Sequence, residues 1–185
     1  MLPSPRVEPT PRWIRVRAGD VEIADSRRAL LLAWYGPGML PTYCLPAEDV
    51  HTDLFRPSAA PGPDGFRLDH DLHTGDLSLP GAAQLFRHPP APLEALHDHW
   101  TFTWDAGLSW FEEALEVHVH ARDPAKRVDV VPSERHVRVE IDGEVVAETT
   151  RPHAGIAGLV AFFNERVDLV VDGVRQERPR TPWSE

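Results

Sequence analysis

Two stretches of the chain repeat each other without a gap, and this repeat constrains the fold more than any other feature. Residues 13–29 match residues 136–152 at an offset of 123. Residues 100–113 match residues 159–172 at an offset of 59. Because the two offsets differ by 64, the second copy keeps the beginning and the end of the first but lacks about sixty residues between them.

Alternating apolar and polar residues, the pattern of a half-buried strand, occur in both copies. Trp13–Ala18 alternates, and Gly19 turns the chain into Val21–Asp25, which predicts a β-hairpin. The matching hairpin of the second copy turns at Asp142-Gly143, a favoured two-residue turn. At the seam between the copies, Leu115–His120 is a further predicted strand within a stretch rich in titratable side chains.

About ten short strands and one helix-like turn at Leu93–Asp98 predict an all-β fold. We expect a single β-barrel built from both copies, because closure removes exposed strand edges and because the second copy is too small to bury a core of its own. The predicted regions are a flexible Pro-rich arm (1–12), the barrel domain (13–178, with copy one at 13–123 and copy two at 124–178) and a polar tail (179–185).

Composition limits the class of partner. The chain has 19 basic and 29 acidic residues, a net charge of −10, which argues against nucleic acid and against an anionic membrane surface. The single cysteine, Cys44, cannot form an internal disulfide and predicts a reducing cytoplasm. No apolar run has the length of a spanning helix. A lone lysine, Lys126, among many arginines indicates a GC-rich, actinobacterial-like genome. We predict a cytoplasmic protein whose partner is a small apolar molecule.

Positions that are ionisable in copy one but apolar in copy two are candidates for function. Glu112 aligns with Val171 and shares a strand face with Trp110. A carboxyl group on an apolar face would have a raised pKa through desolvation, which suits a general acid. The alternative is that Glu112 lies at the strand end and reaches solvent.

Three further side chains are candidates for proton transfer. His120 or Asp129 would be the base, since a carboxylate beside His120 would raise the pKa of its imidazole; the alternative is a structural ion network that includes Asp123. Tyr43 belongs to the segment that only copy one keeps. Its hydroxyl could donate to a developing oxyanion, and the alternative is an ordinary aromatic residue with its hydroxyl at a rim.

Five aromatic residues are read most simply as core, and in a hollow barrel they would line a cavity for an apolar ligand. These candidate substrate-binding residues are Trp34, Trp100, Phe102, Trp104 and Trp110. His118 and His120 share a strand face, but nothing places them near a second ligand pair. We therefore predict neither a metal nor a cofactor.

Several stretches together carry a family resemblance: RWIRVRAGDVEIADSRR, YGPGMLPTYCLPAEDV, WFEE followed by VHVHARDPAKRVDV, HVRVEIDGEVVAE, and IAGLVAFFNERVDLVVDGVRQERPRTPWS. They resemble the bacterial family catalogued as domain of unknown function 427, sometimes labelled nucleotidyltransferase-like, in a tandem form with a truncated second copy. The resemblance implies an all-β fold. The chain lacks the Cys-x-Tyr-Lys-Gly segment that many members carry, and it has no Gly-rich phosphate loop that would support the nucleotide label.

A looser resemblance rests on architecture alone. A small β-barrel without a cofactor is similar to accessory cyclases of polyketide pathways, including those that close spiroacetals. It implies a general acid–base cyclase or dehydratase acting on an apolar, polyketide-like intermediate of antibiotic biosynthesis. The alternatives are a non-enzymatic small-molecule binding module and a nucleotide-dependent transferase.

Overall fold

The computed structural model describes residues 5–36, 39–59, 62, 64–75, 77–104, 107–125, 133–149 and 166–178. Within them the chain forms fifteen β-strands and no α-helix, so the predicted all-β class is confirmed. In chain order the strands are β1 Arg6–Pro9, β2 Ile14–Ala18, β3 Val21–Ser26, β4 Leu30–Ala33, β5 Thr42–Pro46, β6 Phe55–Pro57, β7 Arg67–Thr74, β8 Leu77–Phe86, β9 His99–Phe102, β10 Leu108–Glu112, β11 Leu115–Val117, β12 Val137–Ile141, β13 Glu144–Thr149, β14 Asp168–Val171 and β15 Val174–Arg175.

Three single-turn 3₁₀ helices occur in the described residues, at Ala47–Asp49, Thr52–Leu54 and Glu94–Leu96. The last lies within the helix-like turn predicted from the sequence. No helix of the described residues is long and apolar enough to cross a membrane.

The strands form three antiparallel sheets. The large sheet has the order β1-β4-β5-β9-β8-β7-β6, the first small sheet β11-β10-β2-β3, and the second small sheet β13-β12-β14-β15. Each strand order is open among the described residues, so the single closed barrel stays a prediction.

The chain divides into two compact units. Unit 1 comprises Met1–Glu112 and Glu116–Val128, and unit 2 comprises Glu113–Leu115 and Asp129–Glu185. Unit 1 therefore contains the large sheet together with β2, β3 and β10, while β12–β15 belong to unit 2.

Part of the predicted Pro-rich arm forms a strand. Arg6–Pro9 is the edge strand β1, which pairs antiparallel with β4 and places Arg6 opposite Ala33. A proline is tolerated there because one side of an edge strand needs no ladder hydrogen bond. The Arg6 guanidinium also lies 2.8 Å from Asp123 Oδ1, which anchors the strand.

The core of unit 1 lies on the inward faces of its strands. Strand alternation buries Ile14 and Val16 of β2, as predicted, and Trp110 of β10. In β3, however, the consecutive residues Ile23 and Ala24 are both buried. A β-bulge opposite Val16 causes this break in alternation, since the extra residue of a bulge re-aims the side chains beside it.

The two small sheets share one register. In the first, Ile14 lies opposite Glu112; in the second, Val137 lies opposite Val171. These pairs are related by the offsets of 123 and 59 found in the sequence. The hairpins β2–β3 and β12–β13 also agree, down to a bulge at Val16 in one and at Val139 in the other.

Candidate functional site

Glu112, the last residue of β10, faces the core of unit 1. Its neighbours on that face are Leu108 and Trp110, as the alternation predicts. The side chain is 1% exposed, so the alternative that Glu112 reaches solvent is wrong. A buried carboxyl group is costly unless hydrogen bonds satisfy it.

Glu112 is the acceptor in each of its described hydrogen bonds. The Tyr43 hydroxyl donates to Oε1 at 2.7 Å, and the Arg12 guanidinium donates to Oε2. The backbone N–H of Arg122 donates to Oε1 at 3.3 Å, and the Nε of Arg122 lies 3.6 Å from Oε2. The carboxyl group thus acts as an acceptor in this arrangement, and the proton of the Tyr43–Glu112 pair lies on the tyrosine.

Tyr43 reaches this position from β5 of the large sheet, where it is almost fully buried. Burial, and then the charge of Glu112, raise the pKa of the Tyr43 hydroxyl far above its ordinary value. Tyr43 is therefore a neutral hydrogen-bond donor at physiological pH. The alternative of a hydroxyl at a rim is wrong.

Aromatic rings border the Tyr43–Glu112 pair. The Trp110 ring lies 6.3 Å from that of Tyr43, stacks on Trp104 at 4.4 Å and lies 5.8 Å from Phe102. Both indoles are anchored, Trp104 Nε1 to Thr42 Oγ1 at 3.1 Å and Trp110 Nε1 to a backbone carbonyl at 3.3 Å. Three of the five candidate aromatic residues therefore form one wall next to Tyr43.

Of the other two aromatic candidates, Trp100 belongs to the same core cluster as this wall, whereas Trp34 does not. Trp100 is buried and contacts Phe55 at 5.3 Å and His70 at 4.6 Å between ring centroids. Trp34 packs against a separate hydrophobic cluster that contains Leu32 and Phe86.

Of the two predicted bases, His120 is described, and its printed hydrogen bond is not to Glu112. The imidazole Nδ1 of His120 lies 2.7 Å from the carbonyl oxygen of Ala121, and it is Arg122 that reaches Glu112. Asp129 lies outside the described residues. His118 is exposed, and no group of three or more His, Cys, Asp or Glu among the described residues is placed to hold a metal ion.

Asp123 forms a second buried network in unit 1. It accepts hydrogen bonds from Arg6 and from the Tyr35 hydroxyl, each at 2.8 Å, and from the N–H of Ala125 at 2.9 Å. Burial opposes ionisation of Asp123, but these bonds and the charge of Arg6 outweigh it and lower the pKa of the carboxyl group. Burial and the bond to Asp123 raise the pKa of Tyr35 to about 12. Asp123 is thus structural, as the alternative reading proposed, although its described partners differ from those expected.

Sequence reasoning missed Arg12 and Arg122. A signal for Arg12 was present, because the offset of 123 pairs it with Arg135. Arg135 is also a buried cation, with Nη1 3.0 Å from Glu113 Oε1 and Nε 3.1 Å from Asp172 Oδ2. Arg12 lies just before β2 and Arg135 just before β12. Each has a carboxylate partner at or just after the end of the strand that pairs with it, β10 or β14.

Comparison with known proteins identifies a family. No curated protein matches the chain. Residues 6–113 match the family described as a domain of unknown function (DUF427), which is more than half of the 185-residue chain. The match includes Arg12, Tyr43 and Glu112. The chain therefore belongs to the DUF427 family.

Proposed function

We propose that this protein is a cofactor-free acid–base catalyst that cyclises or dehydrates an apolar, polyketide-like intermediate, with acetal or spiroacetal closure as the favoured reaction. The observation that carries the proposal is the buried hydrogen bond between Tyr43 and Glu112. It supplies a proton donor and a proton acceptor side by side, without a metal or an organic cofactor.

In this proposal Tyr43 is the acid and Glu112 the base, the reverse of the role that the pattern gave to Glu112. In the first ring closure, Tyr43 gives its proton to the carbonyl oxygen of the substrate while Glu112 accepts the proton of the attacking hydroxyl, which yields a cyclic hemiacetal. The hydrogen bond between them then returns a proton from Glu112 to Tyr43, so that the pair is reset. For acetal or spiroacetal closure the pair acts a second time: Tyr43 protonates the hemiacetal hydroxyl, which leaves as water, and Glu112 accepts the proton of the second hydroxyl as it attacks the same carbon. Proton transfer of this kind contributes a rate factor of about 10² to 10⁴.

The surroundings of the pair support this chemistry. Arg12 and Arg122 fix the orientation of the carboxylate, which keeps the acceptor in place during the reaction. The rings of Phe102, Trp104 and Trp110 supply an apolar wall beside it, as a site for an apolar substrate requires.

We also propose that the two small sheets are copies of one ancestral hairpin unit. The support is the shared register, including the matching bulges. On this proposal the Tyr43–Glu112 pair is a feature of copy one, because copy two has Val171 at the position of Glu112 and lacks the segment that carries Tyr43.

The test is metabolite profiling by mass spectrometry of a deletion strain complemented with wild type, Tyr43→Phe, Glu112→Gln or Arg135→Gln. The last variant breaks a buried ion pair of unit 2 and controls for lost stability. We expect wild type and Arg135→Gln to restore a product, and the two site variants to accumulate its open-chain isomer or hydrate. Identical profiles for all strains would refute the proposal.

A binding module without chemistry is the second candidate. It is favoured by the mutual packing of Phe102, Trp104 and Trp110 and by the three donors that already hydrogen-bond to Glu112. If this candidate is correct, Tyr43→Phe complements the deletion fully while substitutions in the aromatic wall do not.

A further inference from the structure

Two hairpins of unit 2 turn at the same dipeptide in closely similar backbone conformations. Asp142-Gly143 joins β12 to β13, and Asp172-Gly173 joins β14 to β15. The φ values are 51° and 83° in the first turn and 50° and 80° in the second. Positive φ at both central residues is typical of a type I′ turn. The two turns therefore carry the same chemical groups on closely similar backbones.

The carboxylate of Asp172 is anchored through both of its oxygens. Oδ2 accepts a hydrogen bond from Arg135 Nε at 3.1 Å, and Oδ1 accepts one from the backbone N–H of His136 at 2.9 Å. The Arg135 side chain is 7% exposed, so solvent and salt screen this ion pair only weakly. The ionised form of Asp172 is thus held in one orientation.

The carboxylate of Asp142 is not anchored in this way. Asp142 is exposed, and its side chain makes no hydrogen bond or ion pair with any residue that the structure describes. The glycines do not differ, because a Cβ added to Gly143 or to Gly173 would meet nothing within 4 Å apart from its chain neighbours. The difference between the two turns is therefore the freedom of one carboxyl group.

We propose that Asp142 is a site of spontaneous modification, at which aspartate converts to isoaspartate through a succinimide, whereas Asp172 is protected. The backbone nitrogen of Gly143 attacks Cγ of the neutral Asp142 carboxyl group. The N–Cγ bond forms, and the carboxyl OH leaves with the amide proton as water. Water then adds to the main-chain carbonyl of the ring and breaks its bond to nitrogen, so that the chain continues through Cγ.

Anchoring opposes this reaction in two ways. Cγ has to rotate towards the nitrogen of the next residue, and Asp172 can do so only after its bonds to Arg135 and His136 break. The carboxyl group also has to be neutral for its OH to leave, whereas Arg135 binds the anion. Glycine as the next residue favours the attack, because it has no side chain to obstruct the approach.

Isoaspartate at position 142 should disrupt the β12–β13 hairpin. The conversion adds one methylene to the main chain, and a two-residue turn accepts only a narrow set of backbone conformations. It also creates an α-carboxylate, the group that isoaspartyl methyltransferases methylate. The ageing protein is thus a substrate for this class of repair enzyme. This inference goes beyond the proposed catalysis and does not depend on it.

The test follows both turns in one sample. Full-length wild type is incubated in mildly acidic buffer, in its native state and in guanidinium chloride. Digestion with trypsin then places Asp142 in the peptide of residues 139–166 and Asp172 in that of residues 167–175. Electron-transfer fragmentation quantifies isoaspartate at each position. Labelling by an isoaspartyl methyltransferase reports on the aged native protein, with Asp142→Glu and Asp172→Glu as a matched pair.

We expect isoaspartate to form in the native protein at least about tenfold faster at Asp142 than at Asp172, as for a step that first breaks hydrogen bonds to a charged group. In guanidinium chloride the two rates should become comparable. Asp142→Glu should remove most of the methylation and Asp172→Glu should retain it, because glutamate would need a less favourable six-membered ring. Absence of isoaspartate at Asp142 in the native protein, equal native rates, or a preference for Asp142 that persists unchanged in guanidinium chloride would overturn the proposal. Methylation that is lost only in Asp172→Glu would also overturn it.

Discussion

The two small sheets have the same register but differ at one inward position. The first has Glu112 where the second has Val171, which is also buried. Both sheets keep an arginine before their first strand, yet Arg12 reaches the inward-facing Glu112, whereas Arg135 pairs with Glu113 and Asp172. The comparison teaches that a valine satisfies the fold at this position, so the fold alone does not require a carboxylate there.

The sheets also differ in the burial of one position on β3 and β13. Ile23 is 0% exposed and belongs to the core of unit 1, whereas Val146, at the same register position, is 45% exposed. Burial of apolar area is the main stabilising term in folding. Equivalent positions in the two sheets should therefore contribute very different free energies of unfolding.

The largest effect on stability should come from giving the first small sheet the valine that the second has at the position of Glu112. Glu112→Val removes the acceptor of Tyr43, Arg12 and the Arg122 N–H, and leaves the buried Tyr43 hydroxyl without its described acceptor. We expect a loss of about 3–5 kcal/mol in the free energy of unfolding, as for one broken partner of a buried ion pair. Urea denaturation measures this loss, with Glu112→Gln as the control that keeps the volume. A loss below about 1 kcal/mol would mean that the network is not held together by this carboxylate.

Alanine substitution should cost far more stability at the buried Ile23 than at the exposed Val146. Ile23→Ala creates a cavity in the core and should cost about 2–5 kcal/mol. Val146→Ala alters an exposed side chain and should stay within about 0.5 kcal/mol. Chemical denaturation of both variants tests the difference. Equal losses would indicate that Val146 is buried in solution.

Removing only the Tyr43 hydroxyl should have a smaller effect on stability than Glu112→Val. In Tyr43→Phe the carboxylate loses one donor but keeps Arg12 and Arg122, so we expect a cost of about 1–3 kcal/mol. The difference between its effect in wild type and in Glu112→Val gives the coupling between the two side chains. A coupling of zero would contradict the 2.7 Å hydrogen bond.

The smallest effect on stability should come from Tyr35 and Asp123, and it should appear only at high or low pH. The pKa of Tyr35 is raised to about 12 in the folded protein, so its stabilising contribution is complete below the ordinary value of about 10 and is lost as pH rises towards 12. The pKa of Asp123 is lowered, so its contribution is complete above the ordinary value near 4 and is lost as pH falls below that. Thermal unfolding of Tyr35→Phe and Asp123→Asn across pH tests both directions. Tyr35→Phe should reduce the loss of stability at high pH, and Asp123→Asn should reduce the loss of stability at low pH. If a variant leaves its part of the pH–stability curve unchanged, that residue does not contribute to the pH dependence.

The strands with regular alternation could be predicted from the sequence. β2 alternates in burial over its full length, whereas β12 alternates in sequence but not in burial. The turn at Asp142-Gly143 has the positive φ values that its sequence requires, 51° and 83°. The inward orientation of Glu112 followed from its alignment with Val171. These features depend on neighbours along one strand or on comparison between the copies.

The remaining features depend on contacts that a single sequence does not reveal. Arg12 and Glu112 are separated by one hundred residues along the chain, and a long flexible arginine side chain can reach several carboxylates. The strand β1 forms by pairing with β4, and this long-range contact cannot be inferred from the sequence of residues 6–9 alone. The bulge that buries both Ile23 and Ala24 breaks the alternation on which strand prediction rests.

The central claim, that the Tyr43–Glu112 pair serves chemistry, is tested most directly by replacing the pair and Arg12 with apolar side chains. The variant would carry Arg12→Leu, Tyr43→Phe and Glu112→Val, since a buried ion network replaced by apolar residues of similar volume often leaves stability unchanged or improved. The measurement is product formation in the complemented deletion strain, with urea unfolding as the check on the fold. The account predicts a folded protein that forms no product. A folded variant that still forms the product would contradict it and assign the network to stability alone.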